Sequence, residues 1–170
     1  MEIIMPKPKI NLTDKSVAEN IAKEVVLQMQ KNPGMTLKQA TGVSEEVLEE
    51  IYHMAYTYYN LGKYQEAAAL FQFLAGSSPH TFKYIFGLAG CFHQTECFEQ
   101  AAIGFFIALN IEPHNPIAAY YLTDCFLKQD LPEEALEMAE LTFKICKQKS
   151  EYSELAQRSK LIVEALKRRK

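Results

Sequence analysis

No tryptophan occurs in the 170 residues, cysteine is limited to four, and no apolar run approaches the about 18–20 residues that a membrane span requires. The last shortage excludes a helical span, so no direct membrane insertion is expected. Cys91, Cys97, Cys125 and Cys146 form no C-x-x-C pair, and no histidine stands beside them at zinc-ligand spacing. They are expected to be small buried thiols in a reducing compartment rather than a metal site or a disulfide framework. A Gly-rich phosphate loop, H-E-x-x-H and G-x-S-x-G are all missing, and no nucleophile–base pair stands out. No catalytic residue, cofactor or metal is therefore expected, and the chain does not read as an enzyme. Excess positive charge is also lacking. The net charge of −3 gives no general affinity for nucleic acid. The first eight residues lack a basic region followed by an apolar one, so no signal peptide is read and a cytoplasmic location is expected.

What is present is ordinary globular material, 48% hydrophobic and 23% charged, in a length that suits one domain with a real core. Residues 1–12 carry two prolines and little periodicity, and read as an arm. Thr13 or Asp14 can cap a helix. In it Val17, Ile21, Val25 and Met29 recur every fourth residue, with Ala18, Ala22 and Val26 beside them, which makes one apolar stripe. Asn32-Pro33-Gly34 stops this helix. Thr36 with Gln39 predicts a capping box for a short helical turn ended by Gly42. Ser44-Glu45-Glu46 opens the next helix, a cap followed by acids in the positive first turn.

From there the register is strict. Pro79 and Pro113 lie 34 residues apart, and many columns keep that step. Small residues align at Ala55, Ala89 and Thr123, and again at Ala67, Ala101 and Ala135. Large ones align at Met54, Leu88 and Leu122, and at Tyr58, Phe92 and Phe126; Phe71 and Phe105 match, with Ala139 in the third slot. The turn Asn60-Leu61-Gly62-Lys63-Tyr64 recurs as a hinge, with Gly62 suited to the left-handed conformation that ends a helix. Small columns let helices approach, and large ones fill the space between them. Asn115-Pro116 reads as a cap with the first helical residue of the third unit. A period of 34 in this order resembles the tetratricopeptide repeat (TPR). The resemblance implies an all-α solenoid of three helix–turn–helix repeats.

The chain thus divides into an N-terminal arm and amphipathic helix (1–43), three repeats within 44–149 (about 48–81, 82–115 and 116–149), and a C-terminal capping helix (150–170). No fourth unit follows, since Lys147 stands where the next proline is due. Ser150 can cap a last helix with Tyr152, Leu155, Ser159, Ile162 and Leu166 on one face, which suits the solubilising end of a solenoid. His80 and His114 follow the repeat prolines and read as loop residues.

In TPR units the concave face is lined mainly by the first helix. The corresponding positions are Glu49, Tyr52, Tyr56, Tyr59 and Asn60 in the first unit. The second offers Lys83, Phe86, Gly90, His93 and Gln94, and the third Ile117, Tyr120, Asp124, Leu127 and Lys128. Five aromatics, Tyr52, Tyr56, Tyr59, Phe86 and Tyr120, suit apolar anchors of a peptide. The rival reading of any one ring is packing beneath a terminal helix. The basic residues of a carboxylate clamp are missing: Tyr52, Tyr56, Gly87, Ile117 and Tyr121 occupy those places.

An N-terminal helical extension, three uninterrupted units and one terminal helix resemble the class II chaperones of bacterial type III secretion, the SycD/LcrH type. The local stretches that carry the likeness are Leu48-Glu49-Glu50-Ile51-Tyr52 through Gly62-Lys63-Tyr64-Gln65-Glu66-Ala67, and Phe86-Gly87-Leu88-Ala89-Gly90-Cys91. One departure is Glu96, where a small residue or glycine is common at the second hinge. The resemblance implies a non-enzymatic chaperone in the cytoplasm of a Gram-negative bacterium. It would keep hydrophobic translocator proteins soluble and secretion-competent by holding an extended Pro-x-Leu-x-x-Pro-like segment in the groove. The groove residues implied are Tyr52, Tyr56, Tyr59, Asn60, Lys83, Phe86, His93, Tyr120 and Leu127, with Asn60, Lys83 and His93 placed to bond the client backbone. Relatives tend to dimerise through the N-terminal helix, so the stripe of Val17, Ile21, Val25 and Met29 is expected to serve a homodimer or to fold onto the first repeat. The alternative is a non-catalytic TPR scaffold or assembly factor that joins other proteins.

Overall fold

The computed structural model describes residues 31, 32 and 34–168, so the stripe from Val17 to Met29 lies outside the described residues. Eight α-helices follow in chain order among the described residues: α1 (Leu37–Thr41), α2 (Glu45–Asn60), α3 (Tyr64–Ser77), α4 (Phe82–Gln94), α5 (Phe98–Ile111), α6 (Pro116–Lys128), α7 (Pro132–Cys146) and α8 (Ser153–Lys167). From α2 onward each helix packs on the next, and α1 rests on α3. The result is an all-α TPR solenoid, as the period of 34 predicts.

Local chemistry sets the helix starts. The Thr36 side chain accepts from the Gln39 N–H, and Gln39 Oε1 accepts from the Thr36 N–H, which completes the expected capping box. Gly42 ends α1 at φ +68°. Ser44 caps α2 and Asn115 caps α6, with Pro116 at the first helical position. Ser150 behaves differently from expectation. It opens a 3-10 turn, Ser150–Tyr152, and α8 begins at Ser153 without a side-chain cap.

The hinges inside the three helix pairs share one closure. Lys63 N–H donates to the Tyr58 carbonyl at 2.9 Å, Cys97 N–H to Phe92 at 2.8 Å, and Leu131 N–H to Phe126 at 2.9 Å. This is the Schellman bond, and it requires a left-handed residue just before the donor. Gly62 supplies it at φ +74°, whereas Glu96 and Asp130 are forced into the same region at +61° and +58°. The departure at Glu96 therefore changes the residue but not the turn. A left-handed conformation costs a non-glycine residue about 1–2 kcal/mol, and glycine returns about 0.5–1 kcal/mol of that through its looser unfolded state. Glu96→Gly should raise the melting temperature by about 1–4 °C, and Asp130→Gly by less, because Asp tolerates this region better. Thermal unfolding followed by circular dichroism reads both. An unchanged or lowered value for Glu96→Gly would show that the Glu96 side chain makes a contact outweighing the backbone strain.

The core follows the repeat columns. Ala55, Ala67, Ala89, Ala101 and Ala135 are fully buried, and Phe71 and Phe105 fill the spaces beside them. Thr123, in the small column, is buried too. Its hydroxyl donates to the Ala119 carbonyl at 2.9 Å, so its own burial leaves that oxygen paired. Met54 is 48% exposed while its counterpart Leu122 is buried. The cysteines also depart from expectation. Cys91, Cys125 and Cys146 are buried, but Cys97 is exposed at the second hinge. Burial pushes the Cys91 thiol up to about 11 and the Cys125 thiol up to about 12, which keeps both protonated and inert at neutral pH.

Candidate functional site

Residues spaced four and three apart share a helix face. On α2 that rule puts Tyr52, Tyr56 and Tyr59 side by side, and on α4 it aligns Phe82, Phe86 and Gly90. Between these faces lies a cavity of about 360 Å³. The three tyrosines line one wall, with Phe82, Lys83 and Phe86 on the other. Gly87, Gly90, Phe71 of α3 and Tyr121 of α6 complete the lining.

The rings are held by one another. Tyr52 and Tyr56 stack at 6.4 Å, and Phe82 and Phe86 at 5.2 Å. Phe86 meets Tyr121 edge-on at 5.8 Å, and Tyr59 meets Tyr64 edge-on at 5.4 Å. Such pairs add roughly 0.5–1.5 kcal/mol each beyond area burial. Tyr56 is nevertheless 53% exposed, a large ring presented to solvent at the cavity wall. The glycines keep the space open. A Cβ on Gly87 would lie 2.3 Å from the Phe71 ring, and one on Gly90 would lie 3.4 Å from the Tyr59 ring.

Two polar pairs join the first helices of neighbouring units. Lys83 Nζ donates to both Glu49 oxygens at 2.6 and 2.7 Å and sits 4.4 Å from the centre of the Tyr52 ring. The Tyr84 hydroxyl donates to the same carboxylate at 3.3 Å. The bond from Lys83 holds the Glu49 carboxyl below its usual range. Burial, reinforced by that carboxylate, pushes the Tyr84 hydroxyl up to about 12. Further along, His93 Nε2 lies 2.7 Å from Asp124 Oδ2, and the His93 ring meets Tyr121 edge-on at 5.5 Å. Lys83 and His93, read from sequence as donors for a client backbone, thus already hold internal carboxylates.

Of the expected groove residues, Tyr52, Tyr56, Tyr59, Lys83 and Phe86 line the cavity, and Asn60, His93, Tyr120 and Leu127 do not. Tyr120 is half-buried, with its ring edge-on to Tyr121 at 5.9 Å, and it is Tyr121 that reaches the cavity. Phe71 was legible only as a core filler. It reaches the cavity edge beside Gly87, which has no side chain to stand between them. Phe82 carried a signal that position counting passed over, since it stands one helical turn before Phe86.

Among the described residues no cluster of metal-ligating side chains occurs, and no helix is long and apolar enough to cross a membrane. The fold and cavity define a TPR solenoid whose first helices frame an aromatic cleft. The tetratricopeptide repeat family profile matches residues 48–75, the first helix pair. Along most of its length the chain is similar to chaperones of bacterial type III secretion. Chaperone protein SicA of Salmonella dublin is 26% identical over 157 residues, covering 92% of this chain and 89% of its own. Low calcium response locus protein H of Yersinia pestis is 25% identical over 137 residues, covering 81% and 82%. The crystal structure of the Yersinia enterocolitica type III secretion chaperone SycD in complex with a peptide of the translocator YopD matches with a TM-score of 0.72. It is 25% identical and covers 74% of this chain and 96% of that one.

Proposed function

We propose that this protein is a type III secretion chaperone. It binds hydrophobic translocator proteins in the cleft between α2 and α4 and keeps them soluble and secretion-competent. The observation that carries the reading is the aromatic cavity itself: about 360 Å³ of ring-walled space kept open by Gly87 and Gly90. Exposed apolar surface of this kind marks an interface. An extended, proline-containing segment of the Pro-x-Leu-x-x-Pro type suits it, because such a segment is pre-ordered and loses little entropy on docking. Tyr52, Tyr56, Tyr59 and Phe86 anchor its apolar side chains. Asn60, His93, Tyr120 and Leu127 extend the contact beyond the cavity. The protein acts without catalysis, in the cytoplasm of a Gram-negative bacterium. Residues 44–149 form the client-binding unit, residues 150–170 cap it, and Val17, Ile21, Val25 and Met29 within residues 1–43 serve dimerisation.

The absence of tryptophan makes the test direct, since a tryptophan placed in a Pro-x-Leu-x-x-Pro peptide is the only one in the mixture. Titration of that peptide should give saturable binding. Tyr56→Glu should weaken it by at least tenfold while the helical circular dichroism signal stays unchanged, because Tyr56 is exposed and contributes little to the core. Equal affinity for the parent chain and Tyr56→Glu would remove the cleft as the client site.

A further inference from the structure

The second helix of the middle repeat breaks the pattern of its neighbours. On α3 and α7 the outward positions are Ala69 and Gln72, and Glu137 and Glu140. The same register on α5 holds Ile103 and Phe106, which are 59% and 56% exposed, with Ile107 beside them at 43%. The repeat architecture does not call for apolar residues at 103 and 106, since the two flanking units carry small or polar ones there; Ile107 keeps an apolar column with Phe73 and Leu141. Ile103 and Ile107 border a shallow cavity of about 260 Å³ against Ile85, Leu88 and Phe92 of α4. It shares no residue with the aromatic cleft.

Charge narrows what fits this face. Helices α3 and α5 contain no Lys, Arg or His, while Glu66, Glu99, Glu134 and Glu137 are all exposed on α3, α5 and α7. An apolar strip on a helix that has no cation and carries the exposed Glu99 one turn before Ile103 is complementary to an amphipathic helix with large apolar side chains on one face and Lys or Arg beside them. We infer that α5 and the adjoining face of α4 form a second docking surface, for a cationic amphipathic helix of a partner polypeptide. A partner held in the aromatic cleft would leave this face free, so two segments of one partner can engage together and gain effective concentration.

Binding of fluorescein-labelled 18-residue model helices to the full chain tests this. One peptide carries a Leu/Phe stripe flanked by Lys, a second has Glu in place of Lys, and a third keeps Lys but replaces the stripe with Ser and Ala. The first should bind, and the other two at least tenfold more weakly. Raising salt from 50 to 300 mM should weaken the first several-fold, as screened rim charges require. Phe106→Glu and, independently, Ile103→Glu should each weaken it by at least tenfold, and Tyr56→Glu should leave it unchanged. Binding insensitive to both α5 variants, or lost with Tyr56→Glu instead, overturns the assignment. So does a dimer in sedimentation that Phe106→Glu splits into monomers while the Lys-flanked peptide fails to bind, because the face is then occupied by a second copy.

Discussion

Phe105→Ala should lower stability by about 3–5 kcal/mol, the range for removing a buried aromatic side chain, and the melting temperature by roughly 6–20 °C at this chain length. Phe105 is fully buried at the centre of the larger core cluster. Its ring lies 5.2 Å from Phe86, edge-on, and 5.2 Å from Tyr121, stacked at 18°. Those two rings are also walls of the cleft. Deleting Phe105 therefore leaves a cavity under the site, and Phe86 and Tyr121 lose the surface that fixes their positions. Peptide affinity should fall along with stability, even below the melting temperature. Phe105→Leu, which retains most of the volume, should lose much less of both. Denaturant unfolding and the tryptophan-peptide titration measure the two effects separately. Full peptide affinity in a destabilised Phe105→Ala would show that the cleft rings hold their places without the core beneath.

Gly87→Ala should be nearly as damaging for a methyl group. Its Cβ would fall 2.3, 2.5 and 2.7 Å from three atoms of the Phe71 ring, closer than carbon atoms can stand. Phe71 is 2% exposed and packed edge-on to Tyr52 at 6.1 Å, so the ring has little room to yield. Overpacking of this sort costs about 1–3 kcal/mol, or roughly 2–12 °C in melting temperature. The site should suffer more, because Gly87 and Phe71 both line the cavity and the displaced ring has to move toward it. We expect at least a tenfold loss of peptide affinity. The double variant Gly87→Ala/Phe71→Leu should recover stability relative to the sum of the single changes, since the clash is a property of that pair. Additive effects, or a Gly87→Ala chain with unchanged melting temperature, would refute the close contact.

Helix positions, caps and hinges were legible because they depend on neighbours within a few residues: the capping box of Thr36 and Gln39, the proline at 116, the glycine at 62. The 34-residue columns added the core, since small residues at Ala67, Ala101 and Ala135 and rings at Phe71 and Phe105 are what close helix packing needs. Tyr52, Tyr56 and Tyr59 on α2 and Phe86 on α4 followed from the same count, as residues on the first-helix faces of two units.

The tertiary structure alone decided the rest, for reasons of distance and angle. Neighbouring residues on a helix point about 100° apart, so whether Tyr120 or Tyr121 reaches the cleft depends on how α6 is rotated against α4, which no local rule fixes. Lys83 with Glu49 and His93 with Asp124 are 34 and 31 residues apart, and only the superhelical stacking of units brings them within bonding distance. The left-handed conformation of Glu96 is imposed by the hinge bond between Cys97 and Phe92, against the residue's own preference. Sequence by itself determined that three helix pairs would stack and which faces would meet. Packing across the repeats determined which rings stand free, because exposure is set by what lies opposite a side chain, and that partner comes from another unit.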